Sequence, residues 1–383
     1  MNDDYKKVNP VIRKAAKKIL EERENFPVEY LSNVRTEIVN NAPCCDVWFM
    51  TRGCSHDLNG GCTMCNYGYG KGFAVNDEEI IKSLETDISK LPDKIEELAL
   101  SPTGSFFDDR EVPQKLRQKI IALFGKRHFK NFLAESRCDT LTAENLRWLK
   151  TVINADNIFI EVGIESCCEW ILRNCINKNL SFEEILHAVE LVHNCEMKIC
   201  ANIAIGFPFV NESTGIVSAV HSIETALNIG FDSVVLFPYH VRPGTMLEFL
   251  WRNNFYQPCS LYSFCEVLKS LDKNILPSVS ISWYRNYYGI YSNKILASPK
   301  TCPACEEKIL AALDIYKNKP CAASLELLDS INCECKKAWQ KKINAQEIII
   351  DKNFMRDVYT EIGKHYDIKA SDLSIELENI FSL

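Results

Sequence analysis

No stretch of this 383-residue chain approaches the apolar length of a membrane span; runs such as Ile199 to Ala201 are cut short by Asn202, which excludes a transmembrane helix. The opening MNDDYKKVNP lacks the apolar core of a secretory signal, so the protein is expected to be cytoplasmic and unattached to membrane. Basic residues are outnumbered: Lys+Arg 44 against Asp+Glu 51 gives a net charge of −7 and a pI of about 5.7. That balance excludes a wholly cationic surface for gripping nucleic acid or anionic lipid, while leaving room for a local basic patch. No repeat of fixed period and no low-complexity segment occurs, which excludes solenoid architectures. With 46% apolar and 25% charged residues the composition is that of a folded globular protein.

What the chain has in abundance is cysteine, 18 residues in all. In a reducing compartment clustered cysteines bind metal or carry out chemistry rather than pair as disulfides.

Residues 9 to 24 follow the pattern of an amphipathic helix, with Ile12, Ala16, Ile19 and Leu20 near one face. From about residue 45 to 290, short apolar runs alternate with longer helical patterns, the signature of a parallel sheet built from strand-helix units. The expected strands are Asp46 to Met50, Glu97 to Leu100, Asn131 to Ala134, Ile158 to Val162, Lys198 to Ile205 and Ser233 to Pro238. The helical stretches between them are Asp77 to Leu91, Val112 to Phe124, Ala143 to Val152, Phe182 to Asn194 and Ile216 to Ile229. Six such units suit a partial barrel or a doubly wound sheet, and in either the ligands gather at the carboxyl ends of the strands.

At the end of the first of these strands stands Thr51-Arg-Gly-Cys54-Ser-His-Asp-Leu-Asn-Gly-Gly-Cys62-Thr-Met-Cys65. Three cysteines in one glycine-containing loop leave one iron of a 4Fe-4S cluster open for a substrate. Zinc competes, because His56 could complete a closed Cys3His site. The loop resembles the cluster loop of radical S-adenosylmethionine (SAM) enzymes, in the variant with a longer gap between the first two cysteines. In that family Met64 would lie near adenine, the Thr103-Gly104-Ser105 turn after the second strand would offer its backbone to the methionine amino group, and Glu165 and Gly206, in Glu161-Val-Gly-Ile-Glu-Ser166 and Ile203-Ala-Ile-Gly206, would meet ribose, carboxylate and adenine.

A closer resemblance is to the branch holding the radical subunit of archaeosine synthase and the arsinothricin-forming radical enzyme, itself related to the Elongator catalytic subunit. It rests on the cysteine loop, on Gly104-Ser105-Phe106-x-Asp108-Asp109-x-Glu111-Val112-Pro113, Glu135-Ser136-Arg137, Cys175-Ile-Asn-Lys178, Gly244-Thr245 and the late cysteines together. The expected fold is α/β: a partial (β/α)6 barrel of the TIM type in its radical SAM form, with a small C-terminal cysteine-rich metal-binding module. Residues 1–44 are expected as an N-terminal helical cap, 45–290 as the radical SAM core, and 291–383 as the cysteine-rich module with a helical tail.

In that last segment, Cys302-Pro-Ala-Cys305 and Cys333-Glu-Cys335 offer four thiolates in two short pairs with 27 residues between them. They suit a structural zinc or a second iron-sulfur cluster, with Cys321 as a spare candidate. The remaining cysteines are expected to be buried small apolar residues. His240, in Pro238-Tyr-His-Val-Arg242, could polarise a substrate or pack a loop, and the aromatic run Trp283 to Tyr288 could stack a base or fill a core.

The resemblance implies an enzyme that reductively cleaves SAM at a 4Fe-4S cluster, with electrons from a donor such as flavodoxin or ferredoxin. Hydrogen abstraction by a deoxyadenosyl radical and formation of a 3-amino-3-carboxypropyl radical are the two routes it offers, with C-N lysis or aminocarboxypropyl transfer as the outcome. The substrate would be a lysine-modified deazaguanine in tRNA, delivered by a partner, or a small molecule in biosynthesis; the acidic pI leans towards the latter. The rival reading is a noncatalytic metal-binding or electron-transfer protein with two cysteine sites.

Overall fold

The computed structural model describes residues 7–23, 30–39, 42–69, 74–285, 295–347 and 351–382. Eight strands form one curled, half-barrel sheet whose spatial order is the chain order. They are β1 (Ser32–Val39), β2 (Ala42–Phe49), β3 (Glu97–Pro102), β4 (His128–Ser136), β5 (Asn154–Glu165), β6 (Lys198–Ile205), β7 (Ser233–Pro238) and β8 (Val279–Ile281). β1 turns back antiparallel on β2, from Val39 opposite Ala42 to Ser32 opposite Phe49. Every later neighbour is parallel. The helices that connect them are α2 (Asp77–Ile88), α3 (Gln114–Ala122), α4 (Ala143–Val152), α5 (Glu169–Ile171), α6 (Phe182–Asn194), α7 (Glu212–Asn228), α8 (Met246–Arg252) and α9 (Leu261–Ser270), with α1 (Pro10–Glu22) ahead of the sheet. The end of the chain adds α10 (Pro303–Asn318), α11 (Glu334–Asn344), α12 (Lys352–His365) and α13 (Ala370–Ser382). No described helix is long and apolar enough to cross a membrane.

The six expected strands are β2 to β7. Two strands were not expected. β8 holds only three residues, too few for a periodic signal. β1 corrects the expectation that residues 1–44 are helical. Its Val34, Thr36 and Ile38 alternate with Asn33, Arg35 and Glu37, and only Ser32 among its residues is buried. An edge strand needs little apolar content once it is paired on one side, here aided by an Arg35–Asp46 ion pair of 3.4 Å.

One face of the sheet is wholly apolar and buried; the other mixes polar with apolar residues. Val47, Phe49, Leu98, Leu100, Phe132, Ala134, Ile158, Ile160, Val162, Ala201, Val234 and Leu236 are buried. The residues between them, among them Asp46, Glu97, Asn131, Glu135, Asn157, Glu161 and Asn202, are only partly covered. Parallel sheets covered on both faces read as continuous apolar runs; here the buried residues alternate with partly covered ones, Trp48, Leu133, Phe159 and Phe237 as well as the polar residues, so the second face lines a hollow. In it Glu135 and Glu161 are direct neighbours on adjacent strands. Ser101 Oγ lies 2.8 Å from Asp46 Oδ1 and 2.7 Å from Glu135 Oε1. A hydroxyl has one hydrogen, so the second oxygen is matched by a carboxyl that keeps its own proton. Burial, reinforced by the Glu161 and Asp46 charges, lifts Glu135 well above the carboxylate range; burial also lifts Glu161 to about 7.

The C-terminal segment shares the core of the barrel. The expected boundary at 290/291 lies outside the described residues. α10 buries Cys305, Ile309, Leu313 and Tyr316, and Tyr316 Oη donates to the carbonyl of Val279 at 2.8 Å, with that of Leu276 at 3.2 Å. α12 and α13 return to α1 through Asn9, which is fully buried. Its Oδ1 caps α1 by accepting from Val11 N and Ile12 N. Its Nδ2 lies 2.7 Å from Tyr359 Oη and 3.1 Å from both Asn174 Oδ1 and Glu376 Oε1.

Two outcomes follow from this packing. Asn9→Ala removes a helix cap and leaves buried polar partners unmatched, so urea unfolding should show a loss of about 2 to 4 kcal/mol. Lys14→Ala, which breaks only the exposed pair with Asp372, should cost less than about 1 kcal/mol. The lumen carboxyls set a pH dependence of definite sign. Above about 4.5, the ordinary glutamate value, the unfolded chain releases a proton that folded Glu161 keeps until about 7, so stability falls as pH rises through that window. Glu161→Gln should flatten the fall and stabilise the protein at about pH 8 by on the order of 1 to 3 kcal/mol; an undiminished fall would assign it to other groups.

Candidate active site and metal centre

The three cysteines at 54, 62 and 65 lie on the loop between β2 and α2, at the carboxyl end of the sheet. The loop is held from three sides by the chain itself. The Arg23–Asp57 ion pair, 2.7 Å and almost fully buried, ties it to the end of α1, and Asp57 also accepts from Gly68 N at 2.6 Å. α5 continues into a π-helical stretch, Leu172–Ile176, a form of helix often found at functional sites. Thr63 N and Oγ1 donate to the carbonyls of Ile176 and Cys175 at 2.9 and 2.8 Å. Asn177 Nδ2 then donates to Gly60 O and Gly61 O at 2.9 and 2.8 Å. From the far side Leu247 N donates to Thr63 O. Burial pushes the thiols of Cys62 and Cys65 up to about 12 and that of Cys54 higher still. A metal group bound there would supply the positive charge that makes them thiolates.

The described geometry does not gather His56 and the three loop thiols around one ion. His56 Nε2 is engaged with Asn177 O at 3.0 Å, and burial lowers the imidazole to about 3. Among the described residues the only group of three or more ligand atoms that all lie within 4.8 Å of one another is that of the late cysteines. The three loop thiols are not among them.

A second shell of charge closes on Cys54. Glu111 is fully buried; its Oε1 accepts from Ser55 N at 2.8 Å and its Oε2 from Ser105 N at 2.7 Å. Arg137 joins Glu111 Oε1 and Asp108 Oδ2, and its Nη1 is 3.7 Å from Cys54 Sγ. Gly104, with φ +138°, is required here: a Cβ would lie 1.9 Å from Glu111 Oε2 and 3.5 Å from Cys54 Cα. Its neighbours turn their side chains away. Thr103 Oγ1 accepts from Thr51 N at 2.9 Å and also bonds Tyr69 Oη. Ser105 Oγ is 2.7 Å from both Ser136 Oγ and Thr140 Oγ1. Both hydroxyls brace loops, which leaves backbone, not side chain, to face a ligand.

Glu165 ends β5 at a bulge with φ +65°. Its Oε1 accepts from Lys178 Nζ at 3.1 Å, while Oε2 is buried with no partner among the described residues. Against the effect of burial, the charges of Glu165 and Cys62 raise the Lys178 pKa. Tyr239 Oη is a second buried atom without a partner; burial and then the charges of Glu165 and Cys62 lift its phenol well above the ordinary value. Buried polar groups are nearly always paired; these two orphans both lie within electrostatic reach of Cys62. A cavity of about 490 Å³ opens near by, lined by Ser55, His56, Arg137, Gly163 and Lys178 among others. Met64 packs partly buried against the core. Gly206, with φ +93°, gives its carbonyl to Tyr256 Oη at 2.8 Å and borders a separate hollow of about 190 Å³ with Phe207 and Phe209. Lys178, Asp108 and Glu111 stood in the sequence as parts of motifs without a role; Tyr239 carried no signal beyond its place after β7.

The late cysteines converge. Cys302 and Cys333 stand at the N-caps of α10 and α11, and Cys305 and Cys335 lie in the first turns, so two helix N-termini point positive ends at the thiols. Cys335 Sγ is 3.3 Å from Cys302 and 3.6 Å from Cys305, and Cys302 is 3.7 Å from Cys333. Metal–sulfur bonds of about 2.3 Å in a tetrahedron put sulfurs about 3.8 Å apart, so the group fits one ion. Cys321, the spare candidate, instead contacts Ser324 Oγ at 3.3 Å. His240 has both nitrogens engaged, with Ser298 Oγ at 2.9 Å and Trp283 O at 2.7 Å, and burial lowers it to about 4; it packs a loop. Of the aromatic run, Tyr284 is buried and donates to Asp314 at 2.7 Å; Tyr287 and Tyr288 lie outside the described residues.

No protein-family model matches the chain. An uncharacterized protein of Methanocaldococcus jannaschii is 28% identical over 309 residues, 77% of this chain and 80% of that one. Archaeosine synthase subunit beta of Methanosarcina acetivorans is 25% identical over 320 residues, 82% of this chain and 89% of the relative. Among solved structures, the archaeal Elp3 of Methanocaldococcus infernus superposes with a TM-score of 0.48 at 18% identity, over 61% of this chain and 58% of that one. By sequence the chain is similar, over most of its length, to archaeosine synthase subunit beta.

Proposed function

We propose that the protein is a radical SAM enzyme whose Cys54, Cys62 and Cys65 hold a 4Fe-4S cluster with one iron left for SAM. The observation that carries the reading is three cysteines on one self-supported loop at the carboxyl end of the sheet, beside two buried polar atoms without partners. When bound, the cluster and SAM supply radical chemistry that no protein side chain provides. The chain's own residues bind and orient. The backbone around Gly104 faces the methionine amino group, Glu165 and Lys178 take the polar groups of SAM, and Met64 and the strand end at Gly206 lie towards adenine. An external low-potential protein of the ferredoxin or flavodoxin type delivers the electron.

The relative's name, a subunit of archaeosine synthase, supports a tRNA-borne modified base as substrate and a second subunit that presents it. The hollow lined by Asp46, Glu135 and Glu161 suits a substrate rich in amine or amide donors, such as a lysine-modified deazaguanine undergoing C-N cleavage. The net charge of −7 favours the second reading, a small amine-bearing molecule that needs no RNA-gripping surface. The late cysteines hold a structural zinc that pins α10 and α11 to the barrel.

Anaerobically reconstituted protein should consume SAM in a dithionite-dependent manner, and Cys54→Ala, Cys62→Ala and Cys65→Ala should each abolish this with the fold intact by circular dichroism. Zinc in the loop and no SAM binding would establish the noncatalytic rival. Metal analysis of the variant lacking all three loop cysteines should still find about one zinc per chain, and Cys305→Ser or Cys335→Ser should release it. Iron and sulfide in that variant would replace zinc with an auxiliary cluster.

A further inference from the structure

The motif residues Asp108, Glu111 and Arg137 carry the family resemblance without any part in the proposed reaction, yet they converge on one cluster ligand. Only 14% of the Arg137 side chain is exposed. Its Nε donates to Asp139 Oδ1 at 3.1 Å, its Nη2 to Asp108 Oδ2 at 2.6 Å and Ser55 Oγ at 3.1 Å, and its Nη1 is bound by Glu111. Each edge of the planar guanidinium is thus fixed by a different carboxylate, and such a fork cannot swing away as an ammonium could. Glu111 is itself fixed by the backbone of Ser55 and Ser105. What remains of Nη1 points at Cys54 Sγ, 3.7 Å away.

We infer that Arg137 donates a charge-assisted hydrogen bond to Cys54 Sγ and thereby raises the reduction potential of the cluster held there. The inference rests on the proposed function above. Hydrogen bonds to cluster sulfurs and local charge set such potentials. On reduction a donor loses one electron and the cluster gains it, with no bond to the protein made or broken; the added negative charge reaches the cysteine sulfurs. An N–H aimed at one of them stabilises the reduced form over the oxidised. The surrounding group, Arg110 and Arg137 against Asp108, Glu111 and Asp139, has no positive excess, so the effect comes from the directed contact rather than from net charge. Arg137 is a positioning residue in this scheme and touches no substrate.

The test is a redox titration of the holoprotein, reconstituted anaerobically and followed by electron paramagnetic resonance. In Arg137→Gln the ratio of reduced to oxidised cluster at a fixed potential should fall about tenfold or more, a displacement of about 59 mV for one electron. Glu111→Gln removes a negative charge from the same contact and should shift the ratio upwards. Arg137→Lys keeps the charge without the fork and should fall between Arg137→Gln and wild type. A loop that had merely loosened would move every variant in one direction. Wild-type potential in Arg137→Gln, or shifts of the same sign in Arg137→Gln and Glu111→Gln, overturns the inference and leaves the proposed function standing. If Arg137→Gln assembles no cluster, the signs of the Glu111→Gln and Arg137→Lys shifts decide. A wild-type chain that assembles no cluster on its loop cysteines overturns both.

Discussion

Glu111 is fully buried, and its carboxylate accepts from Ser55 after β2, from Ser105 after β3 and from Arg137 after β4. Three loops that begin on three different strands meet on two oxygen atoms. Burying a carboxylate costs several kcal/mol unless its lone pairs are met, and removing one partner of such a pair costs about 3 to 5 kcal/mol. The site is therefore assembled as a unit: the turn at Gly104 needs a residue without Cβ because Glu111 occupies that space, and the strand end at Arg137 is fixed because three carboxylates surround its guanidinium. The position of Cys54 follows from this arrangement and from the Arg23–Asp57 pair on the opposite side of its loop.

The same economy shapes the barrel. Its helix-facing surface carries the apolar burial that stabilises the fold, which frees the other face to carry polar groups. Asp46, Glu135 and Glu161 sit in that hollow with raised pKa values. They lower stability near neutral pH, a cost tolerated where polar groups are kept for a ligand. The C-terminal helices belong to this design. Asn9, Tyr359, Glu376 and Asn174 bind the two ends of the chain to the π-helical stretch that supports the cysteine loop.

Much of this was legible in the sequence, and the failures have identifiable physics. The six strands β2 to β7 were visible because their helix-facing residues are apolar and branched. β1 was not, because an edge strand that exposes Asn33, Thr36 and Ile38 has almost no apolar face. Both cysteine groups were visible from spacing alone, since ligands to one metal centre recur close together on turns and helix starts. The Thr103-Gly104-Ser105 turn was read as a backbone contact; that its two hydroxyls brace Thr51, Tyr69, Ser136 and Thr140 shows only once the strands are assembled. Asp108, Glu111, Arg137 and Lys178 were noticed as motif members, yet their roles appear only when parallel strands bring together loops dozens of residues apart.

The central claim is that Cys54, Cys62 and Cys65 hold a cluster with one iron free for SAM. Mössbauer spectroscopy of the reconstituted protein, loaded with the Mössbauer-active isotope of iron and compared with and without SAM, tests it most directly. One iron in four should change its signal when SAM is added while the other three stay as they were. A spectrum that SAM leaves unaltered, or a loop that takes up zinc in place of iron, would contradict it.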